Sequence, residues 1–140
     1  MQSNQIQDIL PRFILDSRGN PTVEVDIILH NNIMGRAAVP SGASTGKYEA
    51  VELRDKNKNL YLGRSVNTAI DNINNIIKPL LIGSNVTELH KIDEIMLNED
   101  GSDNKKILGA NAILAVSLGC LRAAANLENK LLFQYINKIY

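Results

Sequence analysis

The sequence is poor in the features that mark secreted and nucleic-acid-binding proteins. It has one cysteine, Cys120, so it cannot form an internal disulfide, and no charged-then-apolar signal segment opens the chain. Fifteen basic and fifteen acidic side chains give a formal charge of zero, which leaves no net field to hold nucleic acid or an anionic membrane surface. These absences predict a cytoplasmic protein with no nucleic-acid partner.

Long hydrophobic runs are also scarce. The most apolar stretch, residues 110–125, is shorter than the roughly 20 residues that a bilayer requires. Asn111, Ser117 and Arg122 interrupt it. We therefore predict no membrane segment, and we interpret this stretch as a helix enclosed by other elements of the fold.

The chain nevertheless has enough apolar material for a core. Of its 140 residues, 44% are hydrophobic, 21% are charged and 4% are aromatic. A disordered chain carries fewer apolar and more charged residues, so this composition predicts a globular protein. The length predicts one domain, over residues 1–140.

Hydrophobic periodicity changes near residue 48, which predicts an α+β fold with strands first and helices afterwards. Residues 22–27 alternate strictly, residues 33–39 form a partner strand, and Asn31 and Asn32 supply the turn. A weaker strand over residues 5–15 contains Pro11, which fits only an edge or a bulge. We predict a three-stranded antiparallel meander over residues 5–39.

The second half has the period of amphipathic helices. It predicts about four helices between residues 65 and 139, preceded by a loop at residues 40–48. Ser65 and Thr87 are predicted as helix caps, and Pro79 as a stop signal.

The most conspicuous loop motif is Pro-Ser-Gly-Ala-Ser-Thr-Gly-Lys at residues 40–47. Its glycines free the backbone and its three hydroxyls offer donors and acceptors, so the loop is suited to close over an anion or a metal ion. The alternative is a surface turn whose hydroxyls cap the next helix. A P-loop is excluded, because only three residues separate Gly42 from Gly46 and Tyr48 follows Lys47.

Acidic residues follow this loop at regular intervals. Glu49, Glu52 and Asp55 recur every three residues, which on a helix would put three carboxylates on one face. Such a face is a metal site or a salt-bridged surface, and the second is favoured because hard-cation sites also draw ligands from elsewhere. No zinc site is predicted, since His30 and His90 lie far apart and there is no second cysteine.

Four blocks of sequence resemble the amino-terminal domain of the enolases, the glycolytic lyases that reversibly dehydrate 2-phosphoglycerate to phosphoenolpyruvate with Mg²⁺. The blocks are LDSRGNPTVEV at 15–25, AVPSGASTG at 38–46, EA at 49–50 with ELRD at 52–55, and LGANAIL at 108–114. Their order and spacing are similar to those of the family. The resemblance implies a domain of three strands and four helices.

The resemblance also implies roles for particular residues. In enolases the serine-rich loop is a mobile lid over the substrate, which here corresponds to Ser41, Gly42, Ala43, Thr45 and Gly46. Other implied roles are those of Ser44, as a ligand of Mg²⁺ through its hydroxyl and carbonyl oxygens, and of Arg12 and Glu24, near the contact between the two subunits of a homodimer.

In this family the catalytic groups belong to a carboxy-terminal α/β barrel, and none of them is placed within these 140 residues. The resemblance therefore implies that the chain binds 2-phosphoglycerate or phosphoenolpyruvate only with the barrel present and is inactive alone. The alternative hypothesis is a non-catalytic dimerisation or interaction module that a truncated enolase gene has left.

Overall fold

A computed structural model describes residues 2–42 and 46–140, and it has an antiparallel sheet followed by helices. Strands β1 (Ile6–Leu15), β2 (Pro21–Leu29) and β3 (Met34–Ala38) pair in the order β1-β2-β3. The predicted α+β class and meander are therefore confirmed. Pro11 lies in the edge strand β1, where a residue without an amide proton costs the sheet little.

The turn between β2 and β3 is longer than predicted. Asn32 has the expected positive φ of 64°, but the amide of Leu29 donates to the carbonyl of Ile33, so four residues rather than two separate the strands. Strand β3 accordingly begins at Met34.

Four helices follow a 3₁₀ turn at Tyr61–Gly63. Helix α1 has three consecutive segments, in which Asn67–Asn72 and Lys78–Leu81 are α-helical and Ile73–Ile77 between them is π-helical. Helices α2, α3 and α4 are Leu89–Asp100, Ala110–Leu127 and Leu132–Ile139.

Pro79 does not stop α1 as the sequence analysis predicts, since the helix runs on to Leu81. A proline inside a helix lacks the amide proton for the i→i−4 bond, and its ring crowds the carbonyl four residues earlier. The π-helical turn that directly precedes the Pro79 segment already interrupts the i→i−4 pattern there. The helix ends two residues later, where Ile82 is extended.

The predicted serine and threonine caps are wrong. Asp55 caps α1 instead, since its two carboxylate oxygens accept hydrogen bonds from the amides of Asn67 and Thr68, both at 2.9 Å. Ser65 donates its hydroxyl proton to the same carboxylate at 2.6 Å. Thr87 bonds to Asn85 and does not cap α2. The first cap therefore comes from a residue that is distant in sequence, which no local pattern reveals.

The core lies between the sheet and the helices. Helix α3 packs against β2 and β3, α1 packs across β1, and α2 and α4 pack against α3. The sheet contributes alternating apolar residues to this face, and all of the following are fully buried: Ile9, Val23, Val25, Ile27 and Leu29. The side chains predicted to alternate along β2 therefore point in turn toward the core and toward the outer face of the sheet.

Helix α3 approaches the sheet closely enough for backbone atoms to touch side chains. A Cβ on Gly119 would lie 2.7 Å from Ile27 Cγ1, and Gly35 of β3 lies against the backbone of Ala123. The side-chain amide of Asn126 donates to the carbonyl of Met34 at 2.7 Å. The close approach of α3 to the sheet is possible because Gly119 on the helix and Gly35 on the strand have no side chains.

Among the described residues, α3 alone is long and apolar enough to cross a membrane by length and composition, with a mean hydropathy of 1.4. Within the fold, 61% of it is buried. Its apolar character therefore has an explanation in the packing, as the sequence analysis predicts for an enclosed helix.

Candidate functional site

The loop that follows β3 leaves the sheet from a fixed point. The amide of Val39 donates to the carbonyl of Val23 at 2.9 Å, and the hydroxyl of Thr22 donates to the carbonyl of Val39 at 2.6 Å. Pairing with β2 thus continues one residue beyond β3. It stops at Pro40, which has no amide proton to offer.

Ser41 is the first loop residue with side-chain anchors. Its hydroxyl donates to Glu52 Oε2 and accepts from Arg54 Nη2, both at 3.2 Å. Its carbonyl accepts from Arg18 Nη2 at 3.3 Å. The start of the loop is therefore attached to the β1–β2 turn and to the segment that precedes α1.

Arg54 joins four segments of the chain at this point. Its Nη1 donates to the carbonyls of Pro21 and Arg64 at 2.5 Å each, and its Nη2 pairs with Glu52 at 2.6 Å. Only 17% of its side chain is exposed. Charge-assisted hydrogen bonds of this kind are among the strongest that a side chain makes, so Arg54 fixes the start of the loop relative to β2 and α1.

The far side of the loop is fixed to the beginning of α3. Buried Asn111 accepts from the amide of Leu53 at 3.0 Å and donates to its carbonyl at 3.1 Å. The amide of Ala110 donates to the carbonyl of Val51 at 2.8 Å. Gly109, with a φ of 96°, permits the contact, because a Cβ there would lie 2.7 Å from the Cβ of Leu53.

Two small cavities adjoin the loop, and Gly42 lines both of them. One, of about 180 Å³, is bounded by Ser41 and several arginines. The other, of about 170 Å³, is bounded by residues of the loop, the segment after it and the start of α3, namely Val39, Pro40, Gly42, Glu49, Glu52, Ala110, Asn111 and Leu114. The loop is thus held at both ends beside open space.

Three of the six predicted loop residues are described, and the other three are not. Ser41 and Gly42 lie at the first anchor, and Gly46 lies beside Glu49, whose Oε1 would be 3.4 Å from a Cβ placed on that glycine. The predictions for the remaining three, Ala43, Ser44 and Thr45, lie outside the described residues.

The predicted row of carboxylates is wrong. The segment that carries Glu49, Glu52 and Asp55 is not helical. Glu52 pairs with an arginine and Asp55 caps α1, so the three groups serve different purposes. Among residues 2–42 and 46–140, no three His, Cys, Asp or Glu side chains form a group that could hold a metal ion.

Cys120 is fully buried in α3. Burial raises the pKa of its thiol, so the sulfur stays protonated at neutral pH. It has no part in the loop.

Arg12 and Glu24, the predicted subunit contacts, lie opposite each other on the outer face of the sheet. Arg12 Nε donates to Glu24 Oε1 at 2.8 Å, and Arg12 also forms a bidentate pair with Asp26 at 2.9 Å. Arg36 of β3 pairs with the same Asp26 at 2.7 and 2.9 Å. Two positive and two negative side chains form a closed network on this face.

The network predicts how stability depends on pH. Hydrogen bonds from Arg36 and Arg12 hold the pKa of Asp26 well below its usual range. Because the folded-state pKa lies below the unfolded value of about 3.9, the network stabilises the fold above that pH, and the contribution is lost as the pH falls through the folded-state pKa. We expect the free energy of unfolding, measured with urea at pH 7, 4 and 3, to decrease as this contribution is lost. Asp26→Asn should be less stable than the parent at pH 7.

The same variant should also lose less stability between pH 7 and pH 3. Asp103→Asn is the control, because this exposed carboxylate lies outside the network, and its pH dependence should equal that of the parent. Equal pH dependence of the parent and Asp26→Asn would contradict the prediction.

The sequence analysis missed the residues that anchor the loop. Arg54 and Asn111 both lie within the sequence blocks that resemble the enolases, and Asn111 also interrupts an apolar stretch, but neither pattern indicates an anchor of the loop. An asparagine within a helix that is otherwise buried does carry a signal, since a buried amide requires hydrogen-bond partners. The identity of those partners could not be read from the sequence.

Comparison with protein families gives one finding. A family model described as the enolase N-terminal domain matches residues 6–136. The match begins at the first residue of β1 and ends within α4, so it includes the sheet, the loop and both anchors.

Proposed function

Since this chain belongs to the family of enolase amino-terminal domains, we propose that residues 41–46 are the lid of an enolase that reversibly dehydrates 2-phosphoglycerate to phosphoenolpyruvate. The observation that carries the proposal is a loop that is held at Ser41, lies next to two cavities and continues into a segment that is fixed at Leu53. Firm ends let a loop close over a ligand without disturbing the domain, and closure excludes water from the reaction.

Ser44 is proposed as a ligand of Mg²⁺, through oxygen atoms of the kind that this hard cation prefers. We propose that the other ligands come from the α/β barrel that enolases place beside this domain. When bound, Mg²⁺ supplies positive charge next to the anionic substrate. In this proposal the chain contributes Ser44, which belongs to a loop that is attached to the rest of the domain at Ser41.

We expect no conversion of 2-phosphoglycerate by the 140-residue chain alone, because no proton-transferring residue of the family is placed in it. Mixing the chain with a separately produced enolase barrel and Mg²⁺ should give measurable formation of phosphoenolpyruvate. Ser44→Ala should reduce that activity by at least about tenfold, since even an outer contact of a metal site costs 10–100-fold.

Ser3→Ala is the matched control for this assay, because Ser3 is exposed and lies outside the loop. It should leave the restored activity unchanged. Turnover by the chain without a barrel, or full activity of Ser44→Ala, would refute the proposed division of roles.

The ion-pair network on the outer face of the sheet supports a second element of the proposal, that Arg12 and Glu24 contact a second subunit. Both side chains are held in place by their mutual pair and remain partly exposed, 34% for Arg12 and 15% for Glu24. In this proposal the complete enzyme is a cytoplasmic homodimer. An interaction module without catalysis would instead bind the barrel domain and restore no activity.

A further inference from the structure

The cavity of about 180 Å³ at the start of the loop is rich in positive charge. It lies between the β1–β2 turn, the loop and the segment before α1, and its lining residues are Arg18, Asn20, Ser41, Gly42, Glu52, Arg54 and Arg64. Three arginines against one glutamate leave a formal charge of +2 on the lining. A water molecule occupies about 30 Å³ in the liquid, so the cavity has room for an oxyanion such as phosphate.

The single negative charge in this cavity is already compensated. Glu52 Oε1 pairs with Arg54 Nη2 at 2.6 Å, and Glu52 Oε2 accepts the hydroxyl proton of Ser41. Arg54 in turn uses both of its Nη atoms for this pair and for backbone carbonyls. The remaining positive charge of the lining is that of Arg18 and Arg64, of which Arg18 forms an ion pair at 3.4 Å with Asp16, a residue outside the lining.

Arg18 and Arg64 retain donor capacity. Arg18 Nη2 makes only long contacts, 3.3 Å to the carbonyl of Ser41 and 3.4 Å to Asp16 Oδ2. Within the part of the chain that the structure describes, Arg64 has no ion pair and no side-chain hydrogen bond, and it is exposed. Guanidinium groups with free donors are the usual ligands of phosphate and carboxylate groups.

The backbone around both arginines is held in place. Asp16 Oδ1 accepts from the amides of Arg18 and Asn20, at 2.8 and 2.9 Å, and so fixes the β1–β2 turn. The carbonyl of Arg64 is bound by Arg54. An anion that enters the cavity therefore orders two side chains and no backbone, which keeps the entropic cost of binding low.

We propose that this cavity is a binding site for a small oxyanion, a phosphate group or a carboxylate, held between the guanidinium groups of Arg18 and Arg64. Ser41 links the site to the loop, because Arg18 contacts its carbonyl and Arg54 contacts its hydroxyl. An occupied site thus reinforces the attachment of the loop at its first residue. The site lies entirely in described residues of this chain and requires neither a barrel nor a metal ion.

The test is a titration of the isotope-labelled 140-residue chain, followed by nuclear magnetic resonance without Mg²⁺. Sodium phosphate, 2-phosphoglycerate and acetate are added separately, and sodium chloride at equal ionic strength is the reference. We expect saturable shifts of the Arg18 and Arg64 Nε–Hε signals and of the Gly19, Asn20 and Gly42 amides. Saturation by the two phosphate compounds identifies a phosphoryl ligand, and saturation by acetate and 2-phosphoglycerate alone identifies a carboxylate.

Variants of the exposed arginine make the test specific. Arg64→Gln should weaken binding about tenfold, in line with the loss of one charge-assisted hydrogen bond, whereas Arg64→Lys should retain part of the affinity. Arg122→Gln is the matched control, because this exposed arginine of α3 lines a different cavity, and it should bind as the parent does.

Shifts no larger than those with chloride, or equal affinity of the parent and Arg64→Gln, would overturn the proposal. The parent and each variant are compared by urea unfolding, so that a folding defect is not taken for lost binding. Because this titration involves no barrel, its failure would leave the proposed lid function untouched, and failure of the activity assay would leave the anion site untouched.

Discussion

Replacing Gly35 with alanine is expected to lower the free energy of unfolding by about 3 kcal/mol or more. A Cβ at this position would lie 2.2 Å from the amide nitrogen of Ala123 and 2.3 Å from the carbonyl oxygen of Gly119. Both atoms belong to the backbone of α3, so no side chain can rotate away, and the helix itself must move off the sheet. That displacement would loosen the packing around Ile27, at the centre of the core.

Urea unfolding followed by circular dichroism measures this effect, and the melting temperature should fall by roughly 10 °C. Gly83→Ala is the control. Gly83 has a φ of 85° and nothing within 4 Å of its added Cβ, so only backbone strain of about 1 kcal/mol applies. Equal losses in the two variants would show that the contact with α3 is not the cause.

Asp100→Ala should destabilise the protein by a similar amount, about 3 kcal/mol. The carboxylate of Asp100 is buried at the end of α2 and accepts hydrogen bonds from the amides of Ser102, Ile107 and Leu108, at 3.0, 3.1 and 2.7 Å. It also accepts the hydroxyl proton of Ser102. Without it, the buried amide of Leu108 has lost its acceptor just before α3 begins.

Asp103→Ala is the matched control, because Asp103 lies in the same loop and is exposed. It should change the stability by less than about 0.5 kcal/mol. Amide hydrogen exchange gives a second readout, since Asp100→Ala should speed exchange at Ile107 and Leu108. Unchanged exchange there, together with unchanged stability, would contradict the proposed role of Asp100.

The sheet could be predicted because its pattern is local. Alternation along residues 22–27 depends only on which face of a strand each side chain occupies, and Val23, Val25 and Ile27 all face the core, although Thr22 and Asp26 on the other face are buried as well. Pro11 could be assigned to an edge for an equally local reason, the missing amide proton. The helices could be predicted in the same way, from the helical period of their apolar residues.

Ends and anchors could not be predicted, because their partners are distant in sequence. Ser65 has the right residue type for a cap, yet the cap is Asp55, ten residues earlier. Arg54 bonds to Pro21, 33 residues away, and Asn111 to Leu53, 58 residues away. Such contacts form only when whole secondary-structure elements pack together. The position of the loop could therefore be predicted from the sequence, but the residues that anchor it could not.

The pairing of Asn111 with Leu53 also has a consequence for the order in which the protein is made. During synthesis the chain emerges from its amino terminus, so the loop and all three strands exist before residue 111 does. Until α3 follows, the face of the sheet that carries Val25, Ile27 and Gly35 has no cover, and the loop has only its first attachment. The segment that follows the loop therefore acquires its attachment to Asn111 only after the start of α3 has been synthesised.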